Sequence, residues 1–481
     1  MNRARPSRRS SALTLLFTSS VGGLGACSNA SVDSMRTELA RTESQLVSPS
    51  EATNPAQTEA SRAAEDSIAG DVAAHAELPS GALAKFQAFA FAHSPALLAS
   101  FERWRAAVEA PSAERALPDP TVTYAGFVSS VETRVGPMQH KLGIRQWFPW
   151  PTSVTARSDA AVDRAEAAQR IFEAHALALG AEVARAYWRL WLIEKEQQIQ
   201  RQQLEILQTT ERLATTLVET GGANVSALAQ IALRIARHEN HVDRLDEERT
   251  RASAKLAFTL GLQDVAAFAL SAAAPATRLP REAFDALAED LSEHPRVATM
   301  LSESSAEEAM VRAARGDRAP RFALGLDWTV IGDPVAPTPD GGKDALSISA
   351  SISVPIWANG ASAKARVARA KSRAHRAQAE HIRGLLRSDL RVLLTDLSGS
   401  ARMITTYETK MIPQAVTAQQ SIYSGFEAGR VSVAELLDMH AVRLELELEL
   451  VRQRYEHEIA WSDLEALVGR SVSGRDDDDR G

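Results

Sequence analysis

The sequence predicts a mainly α-helical chain with a small membrane-spanning β part, made by duplicating one unit of a β-hairpin and two long helices. Three observations carry this. Landmarks recur in order: Glu219-Thr220-Gly221 and Glu427-Ala428-Gly429, Leu228 and Leu436, Leu256 and Leu464, and Gly261 and Gly469 all stand 208 residues apart. Two stretches, from about 152 to 218 and from about 361 to 426, keep a helical pattern without turn clusters. Between the helical stretches, Leu346 to Val354 places an apolar residue at every even position and serine at every odd one, the period of a strand with a different solvent on each face.

From the N-terminus, Arg3, Arg5, Arg8 and Arg9 precede an apolar stretch, Leu13 to Leu24, that is too short to span a bilayer as a helix. This predicts an export signal over 1–26. Leu24-Gly25-Ala26-Cys27 resembles the lipobox of bacterial lipoproteins, in which the cysteine becomes the mature first residue and carries a diacylglycerol with fatty acyl chains such as palmitate. Cys27 is the only cysteine in the chain, so no internal disulfide and no multi-cysteine metal site can form. Ser28, rather than Asp, follows it, which in that family permits sorting to the outer membrane. Residues 27–79 are rich in Ser, Thr, Ala and Glu with few large apolar side chains, a composition expected of a flexible tether.

The first copy is expected over 80–270 and the second over 271–470. Each opens with a helix of about 30 residues, Gly81 to Ala110 or Arg281 to Arg315. Two strands follow, then the long helix, then a glycine turn (Gly221-Gly222 or Gly429), then a returning helix closed by Gly261 or Gly469 as a C-terminal cap. Along the long helices Leu192, Ile199, Ile206 and Leu213, and Leu390, Leu397, Ile404 and Met411, repeat every seven residues, which suits side-by-side coiled packing. Residues 471–481, with four consecutive aspartates, read as a disordered acidic tail.

Composition narrows the function classes. With 54 Lys and Arg against 61 Asp and Glu, and no basic stripe interleaved with aromatics, nucleic acid is excluded as the expected partner. No glycine-rich phosphate loop, H-E-x-x-H or Gly-x-Ser-x-Gly occurs, so neither a cofactor nor an enzyme is expected. His238 and His241 share a helix face, but with no Met or Cys cluster beside them they are expected to be a solvated surface pair.

The remaining strand runs alternate too: Phe322, Leu324, Leu326, Trp328 and Val330 with Ala323, Gly325, Asp327 and Thr329; Leu142 and Ile144 with Lys141, Gly143 and Arg145; and, less cleanly, Val122, Tyr124 and Val128 with Thr121, Thr123 and Ala125. The hairpin turns are expected at 129–136 and 332–342. Four runs of about 9 to 11 residues have the length of membrane-spanning strands. Four strands cannot close a barrel, and an open edge cannot exist in lipid. Three copies would give about twelve strands around a wet lumen lined by the Ser, Asp and Lys face.

Hairpin, proline at the strand-to-helix passage (Phe148-Pro149-Trp150-Pro151 and Val354-Pro355-Ile356-Trp357), long helix, glycine turn and returning helix, all twice, resemble the TolC-type outer membrane factors over about residues 80 to 470. The resemblance implies a homotrimer with a twelve-stranded β-barrel in the outer membrane and a periplasmic α-helical barrel, a passive exit duct for substrates that an inner-membrane pump and a periplasmic adaptor protein deliver. Phe148-Pro149-Trp150 is similar to members serving heavy-metal pumps. In the family's second copy two carboxylates ring the closed entrance six and nine residues after the tip glycine; here these are Glu435 and Asp438, while Ala227 and Gln230 stand opposite in the first copy. Gly221, Ser226, Gly429 and Ser432 are the small-residue turns where an adaptor would pack. The polar latch of a family member is missing, because its places hold Phe426, Val431 and Ala227, and Arg430 is displaced by one residue. The rival readings are a periplasmic lipoprotein adaptor, which should have one hairpin and a lipoyl-like domain, and a structural coiled-coil envelope protein.

Overall fold

A computed structural model describes residues 28–46, 78–219, 225–264, 266–336, 338–357, 359–428 and 430–476. The first copy comprises α2 (Leu83–His93), α3 (Pro95–Arg115), β1 (Thr121–Thr133), β2 (Gly136–Phe148), α4 (Pro151–Glu219) and α5 (Val225–Thr259). The second repeats the order as α6 (Phe284–Asp290), α7 (Pro295–Gly316), β4 (Arg321–Ile331), β5 (Ala345–Ser353), α8 (Asn359–Thr406), α9 (Ile412–Glu427) and α10 (Val433–Val468). α1 (Ser28–Leu46) precedes both, and β3 (Arg278–Pro280) pairs with β6 (Gly474–Asp476) in the second copy. In the first, Gly81 donates to Ala269 and accepts from Ser271.

α4 has 69 residues, roughly 100 Å at the α-helical rise. Its counterpart covers the same length, Asn359 to Glu427, but passes through a π-helical turn at Tyr407–Met411. Pro413 lies just beyond that turn, and the missing proline N–H together with its ring displaces the local hydrogen-bond ladder. Of the heptad positions, Leu192, Leu390, Leu397 and Ile404 are buried, while Met411, inside the π turn, is 37% exposed. Both returning helices stop at a left-handed glycine, Gly261 at φ 83° and Gly469 at φ 79°, and the Gly469 N–H donates to the Glu465 carbonyl at 2.9 Å.

Several expectations are corrected. Residues 28–46 are not tether but helix: Met35, Leu39 and Leu46 pack on the cluster of Leu97, Phe101, Trp104 and Phe172, and Arg36–Glu109 and Arg105–Glu43 pairs, both at 2.7 Å, clamp α1 to α3. The opening helices are not continuous. Each breaks before a proline, which takes the first position of a new helix, where its lack of an N–H costs nothing; Ser94 Oγ accepts from Leu97 N, and His294 Nδ1 from Arg296 N, as the caps. The first hairpin turn is only Arg134-Val135, because β1 runs on to Thr133. The chain after 470 is not wholly tail, since Gly474–Asp476 is a strand. Residues 477–481 and the export signal with Cys27 lie outside the described residues.

The four-stranded antiparallel sheet has the order β1-β2-β4-β5, so the hairpin of one copy is joined to that of the other through β2 and β4. Register places Tyr124, Leu142, Trp328 and Leu346 in one row, and Val122, Ile144, Leu326 and Ile348 in the next. Among the described residues β1 and β5 each lack a partner on their outer edge.

Candidate functional site

Burial on this sheet is inverted relative to a water-soluble one. On the even face Tyr124 is 66% exposed, Leu346 68% and Ile348 84%, whereas Ala323, Gly325, Asp327 and Thr329 on the odd face of β4 are buried or half-buried. The sheet therefore curls around its polar side and turns its large apolar side chains outward. No helix among the described residues is long and apolar enough to cross a membrane. Trp328 Nε1 is held by Asp344 at 2.9 Å, and Tyr124 Oη meets His140 Nδ1 at 3.0 Å. Phe148, Phe322 and Trp150 lie at the other end of the band. Aromatic rings at both margins, with polar handles on Tyr124, Trp328 and Trp150, are the arrangement of a membrane girdle.

At the far end of the helices, the tips of the two copies meet. Leu207 and Ala214 of α4, Ala227 and Ile231 of α5, Phe426 of α9, and Val433, Leu436 and Leu437 of α10 form one buried cluster, with Val431 packed on it. Three residues that replace the polar latch, Phe426, Val431 and Ala227, are thus parts of an apolar lock between hairpins. Among the described residues Arg430 forms no ion pair, and its backbone N–H closes the turn onto Gly425 O at 2.9 Å.

The two expected entrance acids have separate jobs in the single chain. Glu435 closes a capping box: its N–H donates to Ser432 Oγ at 3.2 Å and its carboxylate accepts from Ser432 N at 3.1 Å, satisfying two orphan donors of α10. Asp438 accepts from Arg234 of α5 at 2.9 Å, and the same guanidinium reaches Leu437 O at 3.3 Å. Sequence reasoning missed Arg234, whose partner is 204 residues away. Ser226 is exposed in the first turn of α5, while Gly221 and Gly429 lie outside the described residues. His238 and His241 do not act together: Gln200 Oε1 takes His238 Nδ1 at 2.8 Å, and Arg244 meets His241. Burial lowers the pKa of His238. Among the described residues no cluster could hold a metal ion.

Polar groups also hold the middle of the molecule. His457 is buried, accepting at Nε2 from Arg278 N at 3.2 Å with Ser400 Oγ 2.9 Å from Nδ1. Burial pushes its pKa down to about 4. Glu458 beside it is pushed up by burial, against the opposing pull of Arg278 at 2.9 Å.

A lipid-facing sheet at one end and two interlocked helical hairpins at the other define a membrane-inserted envelope duct. The chain belongs to the outer membrane efflux protein family, whose model matches residues 89–262 and 286–470. No curated protein sequence matches it significantly. The fold is similar to that of CusC (17% identity, TM-score 0.68, 81% of this chain and 92% of the other). It is equally similar to the outer membrane protein VceC of Vibrio cholerae (17%, 0.68, 81% and 97%) and similar to the open-state MtrE channel of Neisseria gonorrhoeae (17%, 0.65, 81% and 89%).

Proposed function

We propose that three copies of this chain close one twelve-stranded barrel in the outer membrane and continue it as a periplasmic helical barrel, forming the passive exit duct of a tripartite efflux system. The observation that carries this is the pair of open edges, β1 and β5, on a sheet whose exposed face is apolar. In lipid every backbone N–H and C=O needs a protein partner, and pairing β5 of one copy with β1 of the next supplies them. A periplasmic adaptor or a structural coiled coil has no use for a lipid-facing sheet, which disfavours both rivals. The helix tips around Ser226 and Ser432 are the docking point for a periplasmic adaptor, which connects the duct to an inner-membrane pump. In the trimer Glu435 and Asp438 would gather six carboxylates at the entrance. Cys27 would carry the lipid anchor.

The test is conductance of the purified protein in planar bilayers, with the trimer verified in detergent, before and after Glu435→Gln and Asp438→Asn. Trimer-dependent conductance is expected; its absence sinks the duct reading. A cation-to-anion permeability ratio unchanged in the double variant sinks only the carboxylate ring.

A further inference from the structure

The wet face of the sheet carries an excess of positive charge that the duct reading alone does not explain. On the strands this face holds Lys141, Arg145 and Arg321 against a single acid, Asp327. Lys141 Nζ is 3.3 Å from Asp327 Oδ1, so these two largely cancel. The arginines do not: among the described residues neither has an acidic partner. Arg145 stands opposite Gly325 across β2 and β4, with its Nε 3.7 Å from where a Cβ at Gly325 would sit. The Arg321 guanidinium stands 6.0 Å from the centre of the Trp147 ring, a contact that orients the cation and leaves its charge intact. Below the strands, Asp119 and Arg318 add one charge of each sign, Arg318 binding Ser362, and Asp317 is paired with Arg157 at 2.8 Å. At the outer end Asp340 pairs with Lys343 at 2.9 Å, Asp344 is held by Trp328, and Glu132, past the register shift of β1, accepts from Val335 N; Asp333 lies there too.

We propose that the barrel lumen is an anion-selective passage: in the trimer Arg145 and Arg321 form two cationic rings that favour small carboxylate- or phosphate-bearing permeants and retard cations. This rests on the duct reading above. Gly325, the row of Arg145, is four residues along β4 from Arg321, which separates the rings by roughly 13 Å. That exceeds the Debye length of about 8 Å at physiological salt, so each ring acts on a passing ion separately, and an anion crosses two successive sites. Guanidinium is the side chain suited to this, since its fork matches carboxylate and phosphate oxygens. Ser347, Ser349, Ser351 and Ser353 line the same face of β5 and offer hydroxyl donors between the charges.

The probe is inorganic tripolyphosphate, added at low salt to the barrel side of the full-length protein in a planar bilayer. It is expected to block the wild-type conductance, with the apparent blocking affinity falling roughly tenfold or more in the Arg145→Gln/Arg321→Gln variant. The Arg145→Lys/Arg321→Lys variant keeps the charge and should keep most of the block, separating charge from barrel assembly. Conductance with unaltered block in the glutamine variant overturns the rings and leaves the duct standing; no conductance in the wild type overturns the duct reading and the rings with it.

Discussion

If the entrance opens by parting the two hairpins, the structure says what must be broken first. Among the described residues, the contacts that cross between them at the tip include the Arg234 guanidinium, on Asp438 and on Leu437 O, and the apolar cluster around Phe426. The ion pair is well formed at 2.9 Å, but its side chains are 34% and 74% exposed, and such pairs contribute about 0.2–1 kcal/mol once solvent screening and side-chain entropy are counted. Phe426 is 3% exposed among seven other buried side chains, and truncating a buried phenylalanine to alanine costs about 3–5 kcal/mol. If either energy is released on opening, Arg234→Gln shifts the closed-to-open balance by no more than about fivefold, and Phe426→Ala by about 100-fold or more, at 1.4 kcal/mol per decade. The assay is the fraction of time that reconstituted channels spend in the high-conductance state. Phe426→Ala should conduct far more often than the wild type, and Arg234→Gln only slightly more. If Arg234→Gln opens the channel as much as Phe426→Ala, the lock is electrostatic and the reasoning fails.

Three further outcomes are expected. Gly261→Ala should destabilise more than Gly469→Ala in denaturant titrations of the detergent-solubilised protein: both pay about 1–2 kcal/mol for a left-handed side-chain-bearing residue, but a Cβ at Gly261 would also sit 2.4 Å from His93 O, whereas at Gly469 the nearest atom is 3.7 Å away. His457, held neutral in the fold with its pKa near 4 against an ordinary 6.5, binds a proton more readily once unfolded, so its contribution is whole above about pH 6.5 and is lost as pH falls toward 4; the loss of stability between those values should be shallower in His457→Gln than in the wild type. Growth on radiolabelled palmitate should label the wild-type protein and not Cys27→Ala, and equal labelling of both would remove the anchor.

The parts of the fold legible in the sequence were those written as long repetition. Helices α4 and α5 could be read because a 3.6-residue pattern held over many turns, and the sheet because the serines of β5 alternate without exception across Ser347, Ser349, Ser351 and Ser353. The breaks at Pro95 and Pro295 were not, since a proline opening a new helix and a proline ending an old one look alike until the Ser94 and His294 caps are seen. Helix α1 was hidden by its Ser, Thr and Glu content, although Val32, Met35 and Leu39 carry a helical spacing that could have exposed it. At the tips the sequence marked the departures at Phe426, Val431 and Ala227 but read them as a missing latch; that they belong to one cluster depends on α4, α5, α9 and α10 converging, which no local pattern encodes. Arg145 could be placed on the wet face from alternation alone, yet its lack of an acidic neighbour emerges only from cross-strand register.

Helix α1 gives Ser28 a defined height. It runs antiparallel to α3, Arg36 meeting Glu109 and Glu43 meeting Arg105, so its start points toward the sheet and its end toward the helical tips. Ser28 is eight residues before Arg36, roughly 12 Å farther along the axis, and α3 leads to β1 in that same direction. A lipid chain on the residue preceding Ser28 would then be a depth gauge, not a slack leash. Its acyl chains would enter the inner leaflet beside the lower margin of the barrel, and the two clamps would hold each protomer at a fixed level in the bilayer before its strand edges meet those of its neighbours.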